Sequence, residues 1–306
     1  MTFRFALWAS LATLVTAPMT TKNAQAAEKA ITIAIYAPNA PFDSGTERYA
    51  FVNRLAQQVT SLGVPANGKA FARAADLENA IRAKQVDFAI VDGVYLAMRG
   101  VPWPVLATAT SGGDVAPKWA LFSGSVTKVE DLQGKKLSLA ASGPRDADFL
   151  SNALFDGELQ VGKFFASRAP APDIAAAVAA VNLHKADAVF APESQGKGLK
   201  VLFEVRDRVP NPAFCEVGTG LAPELVAKVK AAVLGHGAAG PGLDGWRAAG
   251  GEPYRALAGR MGGRARRPVM VEPEVVRIED QDVLVAPALE PGLTELKSLY
   301  WQPNAQ

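Results

Sequence analysis

Cysteine occurs once in the 306 residues, at Cys215, and histidine twice, at His184 and His236. A single thiol forms no internal disulfide, so the fold must rest on its core. His184 lies in an Asn-Leu-His-Lys turn and His236 in a glycine-rich loop, both of which read as surface. The chain lacks paired metal-ligand spacing, a nucleophile elbow and a CxxC motif. Cys215, beside Glu216, reads as a buried inert thiol rather than a nucleophile. No enzymatic activity, metal or cofactor is therefore expected. An excess of charge of one sign is also missing: 32 Lys and Arg oppose 30 Asp and Glu, which gives no general attraction to nucleic acid or anionic lipid. Beyond the N-terminus no run reaches the roughly 20 apolar residues that span a bilayer, and no repeat occurs at solenoid spacing. Gly63 to Lys69 matches a P-loop in part, but Ala70 stands where Ser or Thr would hold magnesium. That segment also runs from helix to strand, the reverse of a P-loop.

What is present begins with an address. Arg4, the apolar stretch Phe5 to Val15 and the small-x-small triplet Ala24-Gln25-Ala26 form a signal peptide, residues 1–26, with cleavage expected after Ala26. No Cys follows the apolar run where a bacterial lipoprotein needs one. Cleavage removes Arg4 and Lys22 and no acidic residue, which balances the mature chain. A soluble, periplasmic protein is expected.

The mature chain reads as two α/β series. Ile31 to Ala37 is a buried strand ended by Pro38, and Ser44-Gly45-Thr46-Glu47 is a capping box before Val52, Leu55, Ala56, Val59 and Leu62 at helical spacing. Lys69 to Arg73 reads as a strand, Asp76 as the cap of a helix carrying Leu77, Ala80 and Ile81, and Val86 to Val91 as a third strand. Strands alternating with helices imply a parallel sheet flanked by helices. Two extended runs follow, Val105 to Thr110 and Trp119 to Ser123. The second series comprises the strand Leu137 to Ala141, a helix opening at Pro144 and packed by Phe149, Leu150, Ala153 and Leu154, a helix capped by Asp173, and the strand Ala186 to Ala191. Leu199 to Val205 and Phe214 to Gly218 are extended again, a helix opens at Pro223, and Gly235 to Gly251 gives no assignment.

Four segments carry a resemblance: Ile31 to Pro38 with the capped helix at Ser44; Val86-Asp87-Phe88-Ala89-Ile90-Val91-Asp92-Gly93-Val94-Tyr95; Asp131-Leu132-Gln133-Gly134-Lys135-Lys136; and Ala186-Asp187-Ala188-Val189-Phe190-Ala191-Pro192-Glu193-Ser194. Over residues 30–262 the chain resembles type II periplasmic solute-binding proteins, in the phosphate/phosphonate-binding branch of ABC-transporter receptors. The resemblance implies an α/β fold of two lobes, each a mostly parallel sheet flanked by helices. Residues 27–110 and 213–263 would form lobe 1, and 111–212 lobe 2 with two crossover segments. Residues 264–306 lie outside it. It further implies a monomer that closes on a small, phosphonate- or phosphate-like anion and docks on a membrane permease. A periplasmic receptor subunit reporting to a sensor kinase or chemoreceptor is the alternative, because the fold serves both.

The candidate ligand contacts lie in loops after strands, where open α/β sheets bind ligands. Helix starts at Ser44 and Ser142 offer amides and the positive end of a dipole to an anion, although either serine also serves as a simple cap. In Ser142-Gly143-Pro144-Arg145-Asp146 the branch's run of Ser and Thr is missing. Pro144 removes an amide there and Arg145 offers a guanidinium instead. Asp92 and Tyr95 either reach the cleft or cap and pack their helix, while Tyr36, Asn39 and Lys118 are further candidates. Glu193 and Ser194 end a lobe 2 strand where the resemblance implies a polar cleft residue. An ionised Glu193 would meet a donor on the ligand, since like charges at about 4 Å repel by roughly 4 kcal/mol at an effective dielectric near 20.

Overall fold

The structure, a computed structural model, describes residues 30–237 and 242–263. The expected signal peptide, residues 1–26, and the 264–306 extension lie outside the described residues.

The first sheet is built from β1 (Ile31–Tyr36), β2 (Ala66–Ala70), β3 (Phe88–Val91) and β4 (Val105–Thr110), interleaved with helices α1 (Gly45–Ser61), α2 (Ala74–Arg82) and α3 (Gly93–Met98). The chain then crosses to the second lobe. There it forms β5 (Trp119–Ser123), β6 (Lys136–Ala140), α4 (Asp146–Asp148, continued as a π-helix over Phe149–Leu154), α5 (Val161–Phe164), β7 (Ser167–Ala171), α6 (Ile174–Asn182), β8 (Ala188–Pro192) and β9 (Lys200–Glu204). It returns through β10 (Ala213–Glu216), α7 (Pro223–Leu234), β11 (Gly245–Arg247) and α8 (Glu252–Met261). The sheet orders are β11-β4-β10-β3-β1-β2 and β7-β6-β8-β5-β9. In the first, β1 runs parallel to β2 and β3 while β10 is antiparallel to β3 and β4. In the second, β6 runs parallel to β7 and β8 while β5 is antiparallel to β8 and β9. Each lobe thus has a parallel heart with antiparallel strands where the chain enters and leaves.

Burial follows the apolar periodicity. On α1, Phe51, Val52, Leu55, Ala56 and Val59 bury one stripe, and Ser44 accepts from the Glu47 amide while Glu47 accepts from the Asp43 amide, which makes the helix start self-sufficient. β3 and β8 are buried along their whole length, as strands covered on both faces must be.

Several local expectations shift. β2 starts at Ala66 because it registers against β1 from Ile31, three residues ahead of the expected Lys69. Asp76 is not the cap of α2. Extended Arg73 holds that position, and Asp76, inside the first turn, is gripped by the Arg73 guanidinium at 2.8 and 2.9 Å. The helix after β6 does not open at Pro144; it begins at Asp146 and widens to π geometry. His236 is 9% exposed, edge-on to Phe51, so it is no surface residue. Burial, followed by the nearby Arg54 charge, lowers its pKa and holds the ring neutral.

The two crossings run side by side. Gly93 opens α3 so close to the returning segment that a Cβ there would lie 2.2 Å from the Pro210 carbonyl oxygen. Tyr254 on α8 clamps both crossings, sharing a hydrogen bond with Thr108 Oγ1 at 2.9 Å and donating to the Asn211 carbonyl at 3.0 Å. Further along α8, Leu257 and Met261 enter the core of the second lobe. This helix therefore packs on both lobes.

Candidate ligand-binding site

The carboxyl ends of β1, β3, β6 and β7 converge between the lobes. There a cavity of about 510 Å³ is lined from lobe 1 by Tyr36 and Ala72 to Ala74, and from lobe 2 by Ala141 to Gly143, Asp146 and Pro170 to Pro172. Its position outside the strand ends follows the rule for open α/β sheets, and its size suits a small molecule.

Lobe-to-lobe hydrogen bonds hold this cavity together. Tyr36 Oη donates to the carbonyls of Ala141 at 3.1 Å and Ser142 at 3.0 Å, and Asn39 Nδ2 donates to Ser142 Oγ at 2.5 Å. The Ile174 amide donates to Pro38 O at 2.9 Å, and Arg48 pairs with Asp173 at 3.6 Å, both groups being largely buried. A Cβ at Gly143 would stand 3.0 Å from Met98 Sδ, so glycine lets the loop after β6 approach α3. Burial raises the Tyr36 phenol, with Asp92 adding to the effect, and the group stays a neutral donor.

Asp92, 1% exposed, is the N-cap of α3. It accepts from the Val94 and Tyr95 amides at 3.0 and 3.2 Å and from the amide and side chain of Asn39 at 2.9 and 3.1 Å. Both carboxylate oxygens are engaged by its own chain, Oδ1 by three donors and Oδ2 by the Asn39 amide. Burial raises its pKa, opposed by these hydrogen bonds. Tyr95 packs edge-on to Tyr36 with ring centroids 5.3 Å apart and gives its hydroxyl to Glu78. Asp92 and Tyr95 thus shape the wall behind Tyr36 without lining the cavity.

The loop after β6 is arranged differently from the anion cradle expected there. Asp146 Oδ1 accepts from the amides of Ser142 at 3.3 Å and Gly143 at 3.2 Å, the donors an anion would need. Its Oδ2 has no hydrogen-bond partner among the described residues. Burial pushes the Asp146 carboxyl up to about 6, against the pull of the two amides, with Asp92 raising it further and Arg168 lowering it. Arg145 turns away from the cavity to Asp148 at 2.9 Å and the Met261 carbonyl at 3.5 Å.

Of the residues singled out from sequence, Tyr36, Ser142 and Gly143 line the cavity and Asn39 is hydrogen-bonded to it. Ser44 is an exposed helix cap, Lys118 is exposed, and Glu193 and Ser194 are exposed in the 3-10 turn Glu193–Gln195, off the cavity. Asp146, Arg73 and the Pro170-Ala171-Pro172 wall were missed. Asp146 follows Ser142 by four residues, a spacing from which a carboxylate can cap a loop. Pro170 hid β7, because Ser-Arg-Ala-Pro-Ala lacks the β-branched and aromatic residues that mark strands.

The comparisons with known proteins bear on this arrangement. No protein-family model matches the sequence, and no curated protein matches it. Solved structures do. PhnD1 of Prochlorococcus marinus, in complex with methylphosphonate, superposes with a TM-score of 0.60 at 12% identity, over 77% of this chain and 97% of that one. The binding-protein component of an ABC phosphonate transporter from Pseudomonas aeruginosa gives 0.57 at 14% identity, over 77% and 88%. A Xanthomonas citri protein bound to ATP gives 0.56 at 12% identity, over 76% and 97%. The chain has the two-lobed periplasmic-binding-protein fold. Two of these three fold relatives are phosphonate-binding components by their descriptions, and identity this low leaves the ligand of the present protein to its own site.

Proposed function

We propose that this protein is the exported receptor of an ABC importer and captures a small oxyanion-bearing molecule, of the phosphonate, phosphate or sulfonate type, between its lobes. The observation that carries this reading is the cavity of about 510 Å³ with walls from both lobes, bounded by Tyr36 and Ser142 and bridged by hydrogen bonds that only a closed arrangement makes. Opening about the paired crossings would break those bonds and admit a ligand, as in hinge closure. Arg73, where α2 begins, is the cationic side chain on the cavity wall; it is paired with Asp76, and an oxyanion would share its guanidinium with that carboxylate. The ligand-closed surface is what a membrane permease would recognise, and the α8 clamp would keep the two lobes in a fixed relation while it does so.

A thermal-shift screen of phosphate, phosphite, phosphonates, sulfonates, carboxylates and amino acids tests the reading. A ligand at a hundredfold excess over its Kd stabilises by about 2.7 kcal/mol. A neutral compound that binds while every oxyanion is silent would overturn the ligand class. Uptake of the hit that persists when the gene is deleted would overturn the importer role.

A further inference from the structure

We propose that Asp146 occupies the lobe 2 anion seat permanently, so that the cavity refuses simple dianions and selects a ligand bearing an ammonium or similar donor for this carboxylate. The inference deepens the reading above and rests on it.

Three observations converge. First, the Ser142 and Gly143 amides, the donors that the loop after β6 could offer an anion, both point at Asp146 Oδ1. Second, Asp146 is itself part of the cavity lining and keeps Oδ2 without a partner among the described residues. Third, no other cation of that loop competes for it: Arg145 is engaged by Asp148 and the Met261 carbonyl on the far side. A dianion approaching Ser142 would therefore meet a carboxylate in its own seat. Charges of like sign at such range repel too strongly for two amides to compensate. A ligand ammonium meets the opposite situation, a partly desolvated acceptor with an open lone pair, which is where a charge-assisted hydrogen bond is strongest. The other groups facing Asp146 do not change the sign of this field. Asp92, below it in lobe 1, is also acidic, Tyr36 is a neutral donor spent on backbone carbonyls, and Arg168 on β7 is exposed. Arg73 stands across the cavity, paired with Asp76, and is the cation that the opposite wall offers. A zwitterion with its oxyanion towards Arg73 and its ammonium on Asp146 satisfies both.

Calorimetry on the wild type with matched probes tests this, each pair differing in one amino group: taurine against ethanesulfonate, and β-alanine against propionate. The amino member should bind at least tenfold more tightly in a pair that binds, and Asp146→Asn, which keeps the shape and removes the charge, should reduce that preference to about threefold or less. In Asp146→Ser the two amides are released and a hydroxyl donor is added. Methylphosphonate and inorganic phosphate should then bind at least tenfold more tightly than to the wild type. Equal binding within the pairs in the wild type overturns the proposal, and so does the absence of any gain for methylphosphonate and phosphate in Asp146→Ser. If both results are negative while some other compound from the thermal screen stabilises the protein, capture between the lobes stands and the assignment of Asp146 falls alone.

Discussion

Asp92 and Asp146 sit at equivalent places in the two lobes, just beyond a parallel strand at the start of the following helix, yet the chain uses them for different ends. Asp92 follows β3 directly and is surrounded: two amides of α3 and two donors of Asn39 engage both of its oxygens. Asp146 follows β6 after a five-residue turn, reaches back to two amides and retains an open oxygen on a cavity. A buried carboxylate with both oxygens engaged is a piece of scaffold. A partly satisfied one is available for ligand chemistry, and the difference lies in how many donors the neighbouring backbone brings to it.

The contrast breaks most visibly in stability. Asp92→Ala leaves the Asn39, Val94 and Tyr95 donors buried and unmatched, so urea unfolding should show a loss of about 3–4 kcal/mol. A loss below about 1 kcal/mol would place Asp92 among the dispensable groups.

The pH dependence sharpens the same contrast. The folded pKa of Asp146 is pushed up to about 6, above the value near 3.9 of an unfolded Asp. Between those values the unfolded chain has lost this proton and the folded chain still holds it, so this group's contribution is greatest below about pH 4. It falls as pH rises to about 6 and is flat beyond, a total of roughly 3 kcal/mol. Asp146→Asn should lack that component, so its stability relative to wild type should climb between pH 4 and 6. Parallel curves for the two proteins would show that Asp146 is not held in this environment.

The seam between the lobes gives a smaller effect. Tyr36→Phe removes a hydroxyl that donates to Ala141 and Ser142 and should lower stability by about 1 kcal/mol. It should also populate a more open form, visible as a larger radius of gyration in solution scattering without ligand. Smallest of all is the expected effect of Glu193→Gln: because Glu193 is exposed and off the cavity, ligand affinities should stay within about twofold. A tenfold change would return the acidic recognition role to Glu193 at the expense of Asp146.

Sequence alone determined the two-block α/β organisation, since that rests on local periodicity and on caps such as Ser44 and Asp173 that lie within three residues of the amides they bind. β4 and β5 match their expected spans, Val105 to Thr110 and Trp119 to Ser123, because alternation and flanking glycines and prolines act over a few residues. The same locality makes Tyr36 legible as a site residue, at the carboxyl end of a buried strand. Only the tertiary structure decided which polar residues share the cavity. Glu193 and Asp146 look alike as acidic residues after lobe 2 strands. What separates them is that the chain after β8 tightens into an exposed turn, while the chain after β6 folds back under its own carboxylate and meets Tyr36 and Asn39 from a segment more than a hundred residues away. Contacts at that separation are set by closure of one lobe on the other, a free-energy balance over the whole core to which no short pattern of residues gives access.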